Sequence, residues 1–369
     1  MKWLKRNGIC SELYIPAHVV AVIIMSSWNI WASPIPIDTV KVGNPGNAAD
    51  TNDGYGAVAY SYKIGTYDVT LDQYTAFLNA VAKTDTYGLY NTNLATNLNV
   101  AGISRTGSPG SYSYAVIGDG QRPVTYVTWY DAIRFTNWLT SGNTETGAYT
   151  IANGGNNSGT VTVPTPGQRN TWSHSSSAFW YLPDENEWYK AAYYDPSLTG
   201  ANKYWLYPAR SSTPPSADAP PGGTNSANYF GTTGYVLTQS TTNSPTQNYL
   251  TDVGAYNDSP SAYGTYDQGG DVFQWNDLDP SVASSVRGYR GGDFGGDWYL
   301  LDATTRFTVT PLFFNYTTGF RLAGNQAVPE PGGMTLLITC GAALGAWRVR
   351  RKATAHVFDP EAQTRWEHR

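Results

Sequence analysis

Between Cys10 and Cys340 this chain of 369 residues contains no cysteine. No disulfide can staple that stretch and no thiolate can hold a metal in it, so a domain there must stand on packing alone. Twenty-eight Tyr and 13 Trp supply the material. An aromatic side chain buries about 150 to 250 Å², enough for a core to support irregular backbone that has few ladders of its own. A disordered chain would not carry so many. Charged residues are 14% of the sequence, with 38 Gly and 22 Pro, which calls for many turns and leaves little chain for long helix. The length would permit two average domains, but this composition favours one large, loop-rich domain over residues 40–324 with processed ends. A formal charge of −5 and the lack of a central Lys/Arg stripe argue against nucleic acid as a partner.

Both ends read as addresses. Lys2, Lys5 and Arg6 precede an apolar stretch around Val19 to Met25, and Ile30-Trp31-Ala32 offers a small residue at a cleavage point. That pattern predicts a signal peptide over residues 1–33, with an uncleaved anchor as the alternative because Pro16 and His18 interrupt the run. Near the other end, Val328-Pro329-Glu330-Pro331 leads into the apolar run Met334 to Trp347, followed by Arg348, Arg350, Arg351 and Lys352. Residues 328–352 resemble a PEP-CTERM sorting signal, and 353–369 form a polar tail past the point where such signals usually stop. The run is short of the ~20 residues a comfortable span needs, which suits a transient sorting helix. Its basic flank fits retention on the cytoplasmic side until processing. The resemblance implies an exosortase-type machinery as partner and an exported protein at the cell envelope, outer surface or extracellular matrix of a bacterium. A buried C-terminal helix is the alternative. With both ends removed or embedded, Cys10 and Cys340 go too, and the domain is left without a thiol.

Three helix starts can be placed from capping chemistry. Thr70 with Gln73 precedes Tyr74, Phe77, Leu78 and Val81 on one face; Thr128 with Asp131 precedes Ala132, Phe135, Trp138 and Leu139; Asp184 with Glu187 precedes Trp188, Ala191 and Ala192 and is stopped by Asp195-Pro196. Tyr60 to Tyr67, Val124 to Val127 and Gly319 to Ala323 read as short strands. Ser141 to Ser177 and Pro208 to Pro260 read as long loops of the kind that carry function or stay locally disordered. There is no fixed-period repeat.

Five blocks then occur in order: Ile64-Gly65-Thr66-Tyr67-Asp68-Val69-Thr70, Arg122-Pro123-Val124 with Val127-Thr128-Trp129-Tyr130-Asp131-Ala132, Leu182-Pro183 with Glu187-Trp188, Arg290-Gly291-Gly292, and Gly319-Phe320-Arg321. In this order they resemble the formylglycine-generating enzymes, also called sulfatase-modifying factors. The resemblance implies a single α+β domain related to C-type lectins, with few short helices, small antiparallel sheets and much irregular loop.

What the resemblance implies chemically is another matter. Active members follow Arg-Gly-Gly with a Ser and then with two cysteines five residues apart, which bind copper and activate oxygen. Carried onto this chain without gaps, the pattern puts Asp293 at the Ser, Gly296 at the first cysteine and Leu301 at the second. Cu(I) prefers soft thiolates, so copper is not expected and no catalytic residue is assigned. An iron-dependent branch of the fold needs several imidazoles, and His174 stands alone between the two ends, in a Ser-rich loop that reads as solvated. Asp184, Glu185 and Glu187 lie together, but Asp184 and Glu187 have a capping role, and a helix N-terminus lowers a carboxylate's pKa rather than raising it. No Gly-x-Ser-x-Gly elbow surrounds any Ser.

Two features remain. Active relatives hold calcium through an Ala-Asn pair and a Gly-Asn-Val-Trp-Glu-Trp block, which match Ala227-Asn228-Tyr229 and Gly270-Asp271-Val272-Phe273-Gln274-Trp275. Structural calcium is therefore expected at Asn228, Tyr229, Asp271, Val272 and Gln274, whose oxygens suit a hard cation, unless the aromatic pair simply anchors the core and the polar pair caps a turn. Where the cysteine loop would be, Arg290, Asp293, Asp297, Trp298 and Tyr299 combine aromatic faces with charge, a platform suited to a sugar ring. The competing reading is that Trp298 and Tyr299 fill the space left by the lost groove. The sequence thus favours a non-catalytic binding or structural module, for polysaccharide first or an envelope protein, over a divergent oxidoreductase or other enzyme acting on an exported substrate.

Overall fold

The computed structural model describes residues 35–325; the expected signal over 1–33 and the expected sorting segment and tail over 328–369 lie outside the described residues. Thr70, Thr128 and Asp184 each take an extended conformation and accept a hydrogen bond from the backbone N–H three residues on, whose own side chain returns the bond. Helices α1 (Leu71–Val81), α3 (Trp129–Ser141) and α5 (Glu185–Tyr193) start there, and α2 (Asn93–Thr96) is a single turn. A fourth capping box, Thr165 with Gln168, opens α4 (Pro166–Ser173) with proline in its first turn, where the missing N–H costs nothing. This corrects the expectation of a loop from Ser141 to Ser177, which also holds the hairpin Thr150–Gly155 with Ser158–Thr162. Helix α4 buries only Arg169, so it shows no apolar stripe in the sequence.

Two four-stranded sheets make the frame. The first runs Thr39–Val42, Tyr62–Gly65, Ala323–Asn325, Phe179–Tyr181, all antiparallel. The second runs Phe307–Val309, Arg287–Arg290, Phe273–Asn276, Thr318–Phe320, and its last pair is parallel. The run Gly319 to Ala323, expected as one strand, is divided between the sheets, since Thr318–Phe320 pairs in the second and Ala323–Asn325 in the first. Arg321 lies between them, fully buried. It donates to the carbonyls of Gly65 and Thr66 and to Oε1 of Gln274, so one guanidinium ties the two sheets together. Val124 to Val127 forms no strand, because Tyr126 sits at φ 54°, where a pleat cannot continue.

Aromatic rings fill the space between helices and sheets. Tyr74, Phe77, Phe135, Trp138 and Phe320 meet with centroids 5.3 to 6.4 Å apart, mostly edge to face. Trp129, Trp180, Trp188 and Trp275 are almost wholly buried.

Candidate functional site

The Arg-Gly-Gly block ends the strand Arg287–Arg290 and turns the chain with two left-handed glycines, Gly291 at φ 105° and Gly292 at φ 74°. A Cβ on Gly292 would stand 2.7 Å from Cδ1 of Leu301, so the loop closes on Leu301 only because that side chain is absent. Leu301 itself is fully buried with Tyr207, Ala227 and Tyr229. Beside it, Pro208, Ala227, Tyr256 and Gly269 enclose a space of about 20 Å³, room for about one water. The Gly296 carbonyl accepts the Phe230 N–H at 2.8 Å. Asp293 caps its own turn through the Gly295 N–H at 2.7 Å, and burial holds its carboxyl above the ordinary range. Asp293, Gly296 and Leu301 therefore supply a capping carboxyl, a bare backbone and a core side chain.

Asp297, Trp298 and Tyr299 stand on the outside of this loop, on the 3-10 turn Trp298–Leu301. The two rings meet edge to face at 6.1 Å and are 46% and 49% exposed, so they do not fill a vacated groove. Arg290 does not join them. Its guanidinium is buried, pairs with Glu185 and donates to the carbonyls of Ala303 and Thr305 at 2.9 and 2.8 Å. It left the expected cluster because a buried Glu185 needs a cation.

The other acids of α5 are equally structural. Glu187 pairs with Arg169 at 2.9 Å, and Arg169 reaches Asp277 at 2.6 Å, all three fully or nearly buried. Asp277 also accepts from Nε1 of Trp129 at 2.8 Å and from the Tyr149 hydroxyl at 2.5 Å. Burial, reinforced by the charge of Glu187, pushes Asp184 well above the carboxylate range, so desolvation outweighs the capping effect expected of a helix start. His174 is exposed at the end of α4, with Nδ1 2.8 Å from the Asn170 carbonyl.

The side-chain oxygens that Asp271 and Gln274 would offer calcium accept hydrogen bonds from the protein itself. Asn228 and Asp271 meet directly, Nδ2 donating to Oδ1 at 2.7 Å, and Thr251 adds its N–H and hydroxyl to the same carboxylate. Gln274, however, spends Oε1 on Nε1 of Trp188 and Nε of Arg321. The Tyr229 hydroxyl donates to the Pro215 carbonyl, and Val272 packs with Val100, Tyr249, Leu250 and Phe294. Among the described residues no group of three or more His, Cys, Asp or Glu is placed to hold a metal. Asp271, held at φ 61° and buried, is pushed up to about 8 by desolvation first and Asp267 second.

Sequence reasoning missed a cavity of about 230 Å³ lined by Asn97, Asn99, Tyr235, Asn243, Phe294 and Tyr316. Its walls come from separated segments with no shared periodicity. The one available signal was Phe294, which follows Asp293 directly.

The profile described as sulfatase-modifying factor enzyme 1-like domain matches residues 42–326. No curated protein sequence matches the chain. Among solved structures, Treponema denticola variable protein 1 is similar at 20% identity over 79% of this chain and 95% of that one, with a TM-score of 0.46. CarF is similar at 22% over 78% and 98%, with a TM-score of 0.44. PvdO from Pseudomonas aeruginosa follows at 17% over 79% and 92%, with a TM-score of 0.40. With few helices, small sheets and the five sequence blocks placed in one frame, the chain belongs to the sulfatase-modifying factor enzyme 1-like family.

Proposed function

We propose that this chain is an exported, envelope-sorted member of the family whose domain binds a partner instead of oxidising one. The observation that carries the reading is the fate of three positions: Asp293 caps a turn, Gly296 offers only backbone, and Leu301 is sealed in the core. Cysteine oxidation of the family's kind needs thiolates to bind Cu(I), and neither a carboxylate nor a leucine replaces them. The sorting segments at the two ends support an envelope destination, through exosortase-type processing and a transient membrane contact. A polysaccharide or an envelope protein is the partner class that fits loops rich in Tyr, Ser, Gly and Asn.

The test incubates the purified chain with copper, oxygen and a sulfatase-type cysteine peptide, read by mass spectrometry. The peptide is expected to keep its thiol. Conversion to the aldehyde would overturn the reading and restore an oxidase.

A further inference from the structure

We infer that the ligand seat is the cavity bounded by Asn97, Asn99, Tyr235, Asn243, Phe294 and Tyr316, and that it takes a neutral sugar unit of a polysaccharide chain. This rests on the binding reading above and moves the seat away from the Trp298 and Tyr299 ridge.

The cavity is built, not incidental. Tyr235 packs on Tyr249 with centroids 4.2 Å apart, Tyr249 stacks on Phe294 at 5.6 Å, and Phe294 meets Tyr316 at 5.9 Å. Of the other lining residues, Asn97 donates to the Tyr126 hydroxyl at 2.6 Å, and Asn99 donates to the carbonyls of Ser244 and Gln247 at 2.7 and 2.8 Å. The walls are thus fixed before any ligand arrives, which lowers the entropy cost of binding. Two of the six lining residues come from the long stretch between Pro208 and Pro260.

Its free groups define the chemistry. The hydroxyls of Tyr235 and Tyr316 and the amide of Asn243 make no hydrogen bond with the described residues, although most other polar groups nearby do. Phenols and amides both donate and accept, which is what a ring of sugar hydroxyls demands. Aromatic faces take the apolar C–H face of the same ring. No Lys or Arg lines the cavity. Two other depressions, of about 450 and 260 Å³, are lined by Asp195 with Arg210 and by Asp38 with Asp68, so they lack this neutral character. A ledge continues from the cavity: Tyr126, bonded to Asn97, packs on Phe314, which is 45% exposed. A chain of sugars has somewhere to continue; a single free sugar would not need it.

The experiment measures binding of the purified chain to cellohexaose, maltohexaose, mannohexaose, xylohexaose and hexagalacturonate by calorimetry. At least one neutral hexamer is expected to bind, and hexagalacturonate is expected to bind least. Tyr316→Ala, at a half-exposed site, should weaken the neutral interaction about tenfold or more, as should the exposed Asn243→Asp, while Trp298→Ala leaves it within about twofold. Unchanged melting of the Tyr316 and Asn243 variants separates lost contact from lost fold. Binding lost with Trp298→Ala and kept with Tyr316→Ala overturns the cavity and leaves the binding reading standing on the ridge. Preference for hexagalacturonate, or binding of no neutral hexamer, overturns the sugar assignment. The thiol assay above then decides the binding reading on its own.

Discussion

The family blocks and the loop that follows Gly292 behave oppositely. In the family blocks, charged side chains are locked by buried partners: Arg290 by Glu185, Glu187 by Arg169, and Arg321 by Asp68 and Gln274. From Asp293 to Leu301 the chain carries no thiol, and the loop is held by its own turn, by Phe230 and by the burial of Leu301. The difference separates two roles that family membership joins. Arg-Gly-Gly, Glu-Trp and Gly-Phe-Arg are architecture, because a buried ion pair that loses one partner leaves a stranded charge.

The comparison breaks most readily at its rigid half. Arg169→Ala would strand Glu187 and Asp277 and is expected to cost about 3 to 5 kcal/mol in urea unfolding; a cost under about 1 kcal/mol would show that the network is dispensable. Leu301→Ala should cost about 2 to 5 kcal/mol, as a cavity in a packed cluster does. Leu301→Cys sharpens the point, since its thiol should resist an aromatic disulfide reagent in the native state and react in urea. Rapid native labelling would place position 301 at an open site.

A smaller effect concerns Asp271. Its carboxyl titrates near 8 in the fold and near 3.9 unfolded, so the folded state holds the proton more tightly. The stability it contributes is complete below pH about 4 and is lost as the pH rises to about 8. Asp267, pushed up to about 6 by burial, adds in the same direction. Melting temperature should therefore fall between pH 5 and pH 8, and Asp271→Asn, which suits a left-handed position, should flatten that slope. A slope unchanged by the substitution would remove Asp271 as its source. The smallest effect belongs to the exposed ridge: Trp298→Ala should move unfolding by under about 0.5 kcal/mol.

Much of this frame was legible before any coordinates. Capping boxes at Thr70, Thr128 and Asp184 gave three helices because the signal there is local and an apolar stripe follows. The same Thr-x-x-Gln box at Thr165 carries no apolar stripe after it, because α4 buries a single arginine in a polar setting. Apolar alternation suggested a strand over Val124 to Val127, but periodicity cannot report the positive φ of Tyr126. The site divided along the same line. Positions 293, 296 and 301 come from what the family resemblance implies after Arg-Gly-Gly, whereas the engagement of Arg290 with Glu185 and of Gln274 with Trp188 and Arg321 depends on elements far apart in sequence. The Asn and Tyr cavity was invisible for the same reason.

The central claim is that the loop after Gly292 has no site for the family's metal chemistry. Titration of the purified chain with Cu(I) against a competing chromophoric chelator tests it most directly. The account predicts that the chelator keeps the copper at every ratio; stoichiometric transfer of Cu(I) to the protein would contradict it.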